Sequence, residues 1–258
     1  MNATTELPVQ DDTAERLISA LNQDAFVLFQ QTIRALQPEL VAPGFQEILV
    51  RFKEEEEKLL PPGTFIPVLE ASRLMHLLDR WVVNRAIKWI HMHRRREPQW
   101  QAPRSSINLS NDTLETPDFP QFVRQQLHLG RVSGRSFAFE IGEDDAAGHY
   151  PAVAKLANLL RPEGCGVILT GYLGHHIPPG QLAALGVDMV KFDIDLVTTL
   201  HAQADSERRA LALQRQCADA GIRTIAEFVE KQQTLDALRR LRIDYVQGYG
   251  IAMPAPLL

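Results

Sequence analysis

A closed (β/α)8 barrel is the fold this sequence predicts, and two features predict it. From residue 26 onward, short apolar runs of strand character alternate with amphipathic helical stretches, the pattern of parallel strands joined by helical crossovers. About eight such runs in roughly 220 residues suit a closed barrel better than an open, doubly wound sheet. The polar residues agree with that choice: Glu47, Asn108, Glu140, Asp193, Glu227 and Gln247 each lie within or just after a strand-like run, where such a barrel builds its site.

The elements follow in order. Residues 1–12 are polar and unpatterned, which predicts a disordered tail or a linker from a larger protein; the globular unit is then 13–258. Apolar residues recur at helical spacing over 13–23, with Asp11 or Asp12 placed to cap, so a lead-in helix is expected there. Strand-like runs occupy 26–31, 45–51, 105–109, 136–141, 167–169, 189–192, 222–226 and 245–246. Amphipathic segments at 74–93, 146–160, 206–220 and 231–241 supply crossover helices. The glutamate run between Lys53 and Lys58 reads as a solvated face or loop. The run His93-Arg94-Arg95-Arg96 reads as a helix end, where cations suit the macrodipole.

Composition narrows the function. With 45% hydrophobic and 23% charged residues the chain can bury a sizeable core. A net charge of -5 argues against DNA or RNA as a general partner, so any anionic ligand must be met locally. Cys165 and Cys217 form neither a disulfide framework nor a CxxC pair, which favours a reducing compartment. No apolar run approaches the roughly 20 residues that cross a bilayer, so a cytoplasmic chain with no membrane insertion is expected.

Nine motifs in order over residues 26–249 carry a family resemblance. Phe26-Val27-Leu28-Phe29-Gln30-Gln31 resembles FxLxxQ, and Glu47-Ile48-Leu49-Val50-Arg51 resembles EALxR. Phe65 to Glu70 resembles FIPxAE, Asp79-Arg80-Trp81-Val82 resembles DxWV, and Asn108-Leu109-Ser110 matches NLS. Glu140-Ile141-Gly142-Glu143 stands for EITE, Lys191-Phe192-Asp193 for KID, Ala226-Glu227-Phe228-Val229-Glu230 for AEGVE, and Tyr245-Val246-Gln247-Gly248-Tyr249 for YVQGY. The chain thus resembles the EAL family, bacterial phosphodiesterases that open cyclic di-GMP.

The resemblance implies a set of roles. In an active member, carboxylates and an asparagine hold two divalent ions that activate water. The matching positions here are Glu47, Asn108, Glu140, Asp193 and Glu227, with Lys191 near the attacking water and Glu143 bracing the next loop. Where the family has the two aspartates of DDFGTG, this chain has Thr170 and Gly171, neither of which ligates a hard cation as a carboxylate does. The metal positions are therefore expected to be vestigial, with no metal cofactor required and no enzymatic activity. The ligand-holding positions match: Gln31, Arg51, Asp79 and Gln247, with Glu227 beside them. Arg51 offers a planar fork of donors to a phosphodiester, and Asp79 an acceptor for a guanine edge. Phe228, in place of the AEGVE glycine, is expected to stack on a base. Ile48 and Leu49 are expected to floor the other base, with Pro254 at the C-terminal edge.

Within the family the EIL variant, the missing aspartates and the AEFVE sequence are most similar to FimX-type regulators of type IV pili and twitching motility. That similarity implies a non-catalytic cyclic di-GMP receptor that signals to a PilZ-domain adaptor protein, as a monomeric domain of a larger chain. Two other outcomes stay open at this stage, a slow metal-dependent phosphodiesterase and a protein-only scaffold. For a partner surface the sequence offers residues 172–179 and 253–256.

Overall fold

The computed structural model describes residues 9–23, 25–40, 44–53, 59–200 and 203–258. The first eight residues of the expected tail, and Glu54 to Lys58 of the glutamate run, lie outside the described residues. Helix α1 spans Val9–Asn22, so it begins before the expected cap and takes in residues 9–12 of the expected tail.

The described strands form one sheet. They are β1 (Phe26–Thr32), β2 (Arg34–Ala35), β3 (Phe45–Lys53), β4 (Leu59–Leu60), β5 (Arg104–Asn108), β6 (Phe137–Gly142), β7 (Gly166–Tyr172), β8 (Met189–Phe192), β9 (Arg223–Ala226), β10 (Tyr245–Val246) and β11 (Ala255–Pro256). The order is β11-β1-β3-β5-β6-β7-β8-β9-β10-β2. Strand β2 follows β1 after the single residue Ile33 and pairs with β10, so the run of chain that holds β1 near one end of the order also forms its other end, and the sheet curls round on itself as expected. From β3 to β10 each neighbour along this order is parallel. The first strand departs from the pattern, since β1 runs antiparallel to β3, with Gln31 opposite Glu47. A parallel pair needs a crossover, usually a helix; the residues that join β1 to β3 carry β2 and no α-helix among the described ones.

Helices surround this sheet: α2 (Pro62–Ala71), α3 (Met75–Arg96), α4 (Asn111–Leu114), α5 (Phe119–Gly130), α6 (Glu143–Gly148), α7 (Tyr150–Leu160), α8 (Pro179–Leu185), α9 (Ile194–Thr198), α10 (Ala204–Asp219) and α11 (Gln232–Arg240). Round the barrel α3 packs on α5, α5 on α7, α7 on α8, and α8 on α10. The helix expected over 146–160 is two, broken at His149 with Pro151 opening α7; proline has no N–H to continue the ladder. The basic run does end a helix, with Arg94, Arg95 and Arg96 in the last turn of α3.

The barrel interior has two levels, set by the alternation of side chains along each strand. The lower level is apolar: Ile33, Phe45, Ala138, Ile168, Met189, Ile225 and Tyr245 pack together, apart from the larger core between sheet and helices. Two residues from each of six of these stands a polar one, namely Gln31, Glu47, Glu140, Lys191, Glu227 and Gln247. The same spacing puts Thr170 above Ile168. A dry floor thus carries a polar mouth, and the strands alone produce both.

Candidate functional site

Lys191 is the hub of the mouth. Its side chain is fully buried, and its Nζ lies 2.9 Å from Glu47 Oε2, 2.8 Å from Glu140 Oε2 and 3.0 Å from Glu227 Oε1. Asn108 Nδ2 donates to Glu47 Oε1 at 2.7 Å. Gln247 Nε2 donates to Glu47 Oε2 at 2.8 Å and to Gln31 Oε1 at 3.0 Å, and Gln31 Nε2 donates to Ala252 O at 2.9 Å. Residues on or just after seven strands thereby meet in one polar network, joined to the segment that returns toward β11.

Three carboxylates share one ammonium, and their titration divides accordingly. Burial pushes Glu47 up, but Lys191 and the hydrogen bonds from Gln247 and Asn108 outweigh it and hold its carboxyl below the ordinary range. Glu140 is pushed up to about 8 by burial and by the charge of Glu47, against the pull of Lys191. Burial also raises Glu227. Lys191 would be lowered by burial alone, yet the three glutamates hold it well above the ordinary lysine range. The cluster therefore keeps Lys191 charged and Glu47 ionised while Glu140 carries a proton near neutral pH.

The sign of the pH dependence follows. Glu140 is raised from 4.5 to about 8 in the fold, so its contribution to stability is full below the unfolded value and is lost as pH rises through the folded one. Glu140→Gln keeps the shape and removes the titration. Urea unfolding of wild type and variant should show the wild type losing ground from about pH 5 to about pH 9; parallel curves would sink this assignment.

The matched metal positions do not all converge. Asp193 is absent from the Lys191 network, and its Oδ1 instead accepts from Asp195 N at 2.9 Å, capping α9. Gly171 adopts φ +62 where β7 shifts register between Leu169 and Tyr172. Glu140 Oε1 is buried with no hydrogen-bond partner, an open oxygen of the kind a cation takes. Against that, Lys191 already fills the convergence of the acids, and no group of three or more His, Cys, Asp or Glu side chains among the described residues is arranged to hold a metal ion.

The ligand positions divide as well. Leu49 and Arg51 follow Glu47 on the same face of β3, and both are half-buried. The Arg51 guanidinium lies 5.4 Å from the Phe29 ring centre, and its Nη1 donates to Val50 O at 2.8 Å. Ile48 points the other way and is buried in the core between sheet and helices; alternation along the strand takes it away from the mouth. Asp79 is buried on α3, and its Oδ2 accepts from Ser110 N at 2.9 Å, Ser110 Oγ at 2.7 Å and Thr113 Oγ1 at 2.6 Å. Burial pushes its carboxyl up to about 6 despite those bonds. Its hydrogen bonds thus hold the loop after β5. Pro254 is half-buried between Ala252 and β11.

Phe228 is 52% exposed at φ +55, a left-handed conformation that costs a bulky residue about 1–2 kcal/mol. Its neighbour explains the bend: Val229 N donates to Gln247 O at 2.9 Å, and a Cβ on Gly248 would meet Val229 N at 2.3 Å. Only glycine fits at 248. Tyr249 and Met253 are also exposed beside this turn.

Glu143 braces the loop after β7. Its Oε2 accepts from Leu173 N at 2.7 Å and Gly174 N at 3.2 Å, and its Oε1 from His176 N at 2.9 Å and Ile177 N at 3.2 Å. Tyr172 Oη donates to Ile177 O at 2.8 Å. Of the surface expected at 172–179, Tyr172, Ile177 and Pro179 are buried; Met253 stays exposed. Sequence reading named Lys191 at this site, beside the attacking water; that it pairs with three glutamates at once is what the fold adds.

Comparison with known proteins fits this geometry. A cyclic di-GMP phosphodiesterase, PdeB of Shewanella oneidensis, is 30% identical over 95% of this chain, and PdeF of Escherichia coli, also a cyclic di-GMP phosphodiesterase, is 26% identical over 94%. The chain spans 28% and 32% of those relatives' own lengths. Two crystal structures share the fold: the FimX EAL domain of Xanthomonas citri in complex with cyclic di-GMP, with TM-score 0.85, 24% identity and coverage of 96% of this chain and 94% of that one, and its Pseudomonas aeruginosa counterpart bound to cyclic di-GMP, with TM-score 0.85, 24% identity and coverage of 95% and 96%. The expectation that this chain is not an enzyme is corrected by these relatives, which are phosphodiesterases by name. No helix among the described residues is long and apolar enough to cross a membrane. A sequence profile of the EAL domain matches residues 14–254, so the chain belongs to the EAL domain family.

Proposed function

We propose that the chain binds cyclic di-GMP at the mouth of the barrel and that this binding needs no divalent ion. The observation that carries the reading is the buried Lys191 ammonium within 3.0 Å of three glutamates. An acidic cup with its own cation repels a phosphodiester far less than open carboxylates would. Arg51 is the group for a phosphate, Phe228 the stacking face for a base, and Gln31 with Gln247 the polar floor beneath. The ligand's identity is supported by the FimX complexes, and by relatives that act on the same molecule.

Calorimetric titration of cyclic di-GMP in EDTA tests this directly. Saturable binding supports it, and no heat in EDTA with binding restored by Mg2+ overturns the metal-free part. Arg51→Ala should weaken binding by about 10- to 100-fold, the worth of a charged hydrogen bond to phosphate. Phe228→Ala should weaken it by about 5- to 100-fold; equal affinity in either variant would remove that residue from the site.

A second reading, hydrolysis of the dinucleotide, is favoured by the phosphodiesterase relatives and by Glu47, Asn108, Glu140, Lys191 and Glu227 standing in one cluster. Chromatography of cyclic di-GMP incubated with the chain and Mg2+ decides it through the linear product. Downstream, the FimX likeness supports a cytoplasmic role in type IV pilus control, as a monomer that engages a PilZ-domain adaptor when ligand is bound. Co-elution of such an adaptor only in the presence of cyclic di-GMP is the expected result.

A further inference from the structure

A second concavity lies at the opposite end of the barrel from the mouth. Helix α3 ends shortly before β5 and α5 shortly before β6, so both helices finish where those strands begin. Their ends enclose a cleft of about 410 Å3 lined by His91, Arg94, Arg95, Gly130 and Arg131. The sequence sets up one wall: His91, Arg94 and Arg95 stand at i, i+3 and i+4 on α3 and so share a side of that helix. Gly130 lets α5 close on it, because a Cβ there would meet Ile87 Cγ2 at 2.5 Å. His91 Nδ1 donates to Gly130 O at 2.8 Å, and Arg131 closes α5 at φ +51.

Charge here is unanswered. Among the described residues the guanidiniums of Arg94, Arg95 and Arg131 have neither an ion pair nor a hydrogen bond, whereas Arg124 and His128 on α5 share Glu163 at 2.9 and 3.0 Å. No acid lines the cleft, and Glu97, the nearest in sequence, is exposed and pairs with no cation among the described residues. Each helix end counts for roughly half a negative charge, so two ends offset only about one of the three guanidiniums. The lining also selects what enters. It holds no apolar side chain, so a ligand gains there through charge and hydrogen bonds alone. Arginine's planar fork grips two oxygens of a phosphate at once, and three forks suit an anion with more than one phosphoryl group. Leu129 protrudes beside the cleft, too little apolar surface to seat a membrane.

We infer that this cleft binds a compact polyphosphate anion, held between Arg94 and Arg95 on one side and Arg131 on the other. The inference does not rest on the dinucleotide reading. Calorimetric titration of inorganic pyrophosphate into the full 258-residue chain tests it. Saturable binding is expected, at least tenfold tighter than that of inorganic phosphate and weakened by added salt. The pair Arg94→Gln and Arg131→Gln should lower the affinity at least tenfold with an unchanged circular dichroism spectrum, whereas Arg51→Ala at the mouth should leave it unaltered. No saturable binding, equal binding in the pair, loss of binding in Arg51→Ala instead, or an effect of the pair seen only with phosphatidylglycerol vesicles would each overturn the proposal.

Discussion

Replacing Lys191 by methionine is expected to destabilise the folded chain by about 3–5 kcal/mol, the usual cost of stranding a buried charge by removing its partner. Methionine fills much of the volume but leaves Glu47, Glu140 and Glu227 together without the ammonium that now lies within 3.0 Å of each. Their mutual repulsion and desolvation then push all three toward the protonated form. The loss should consequently be largest at alkaline pH and shrink as pH falls through the carboxylate range. Urea unfolding at several pH values measures it. A variant as stable as wild type at pH 8 would show that the cluster does not hold the barrel mouth together. Cyclic di-GMP affinity should fall in the same variant at alkaline pH, where the carboxylates left without the ammonium ionise.

Glu143→Ala is expected to release the loop at 173–177. One buried carboxylate accepts from four backbone N–H groups there, those of Leu173, Gly174, His176 and Ile177. Removing an acceptor leaves a buried donor at a cost of about 1–3 kcal/mol, more when the lost partner was charged. Some of the four regain water, so a net loss of about 3 kcal/mol is expected, concentrated in this loop. Amide exchange should quicken at 173–177 by at least tenfold while the β-strands keep their protection. Uniform loss of protection, or none, would contradict a local brace. The Tyr172 hydroxyl, bonded to Ile177 O, limits how far the loop can travel.

The alternation of strands and helices was legible because it depends on local periodicity, and the runs at 189–192 and 245–246 coincide with β8 and β10. Short edge elements were not legible. Strands β2, β4 and β11 have two residues each; β10 is as short but lies in the Tyr245-Val246-Gln247-Gly248-Tyr249 motif, whereas these three exist only because a neighbouring strand offers a free ladder. The break at His149 and the antiparallel course of β1 likewise depend on one proline and on a link that carries no α-helix among the described residues, which pattern alone does not rank.

At the site, residue types were readable and their company was not. Glu47 and Arg51 share a face because four residues separate them on a strand, and by the same parity Ile48 faces the core. Asp79 sits in a polar motif, yet only the fold brings it to Ser110 and Thr113. The sequence by itself determined the barrel, the family and the polar ring at the strand ends, since each is written in nearest-neighbour spacing. Tertiary structure alone decided that Lys191 is the cation of that ring. Glu47 and Glu227 lie 144 and 36 residues from it, and charges that far apart in the chain acquire an energy only when closure of the sheet brings them within hydrogen-bond distance.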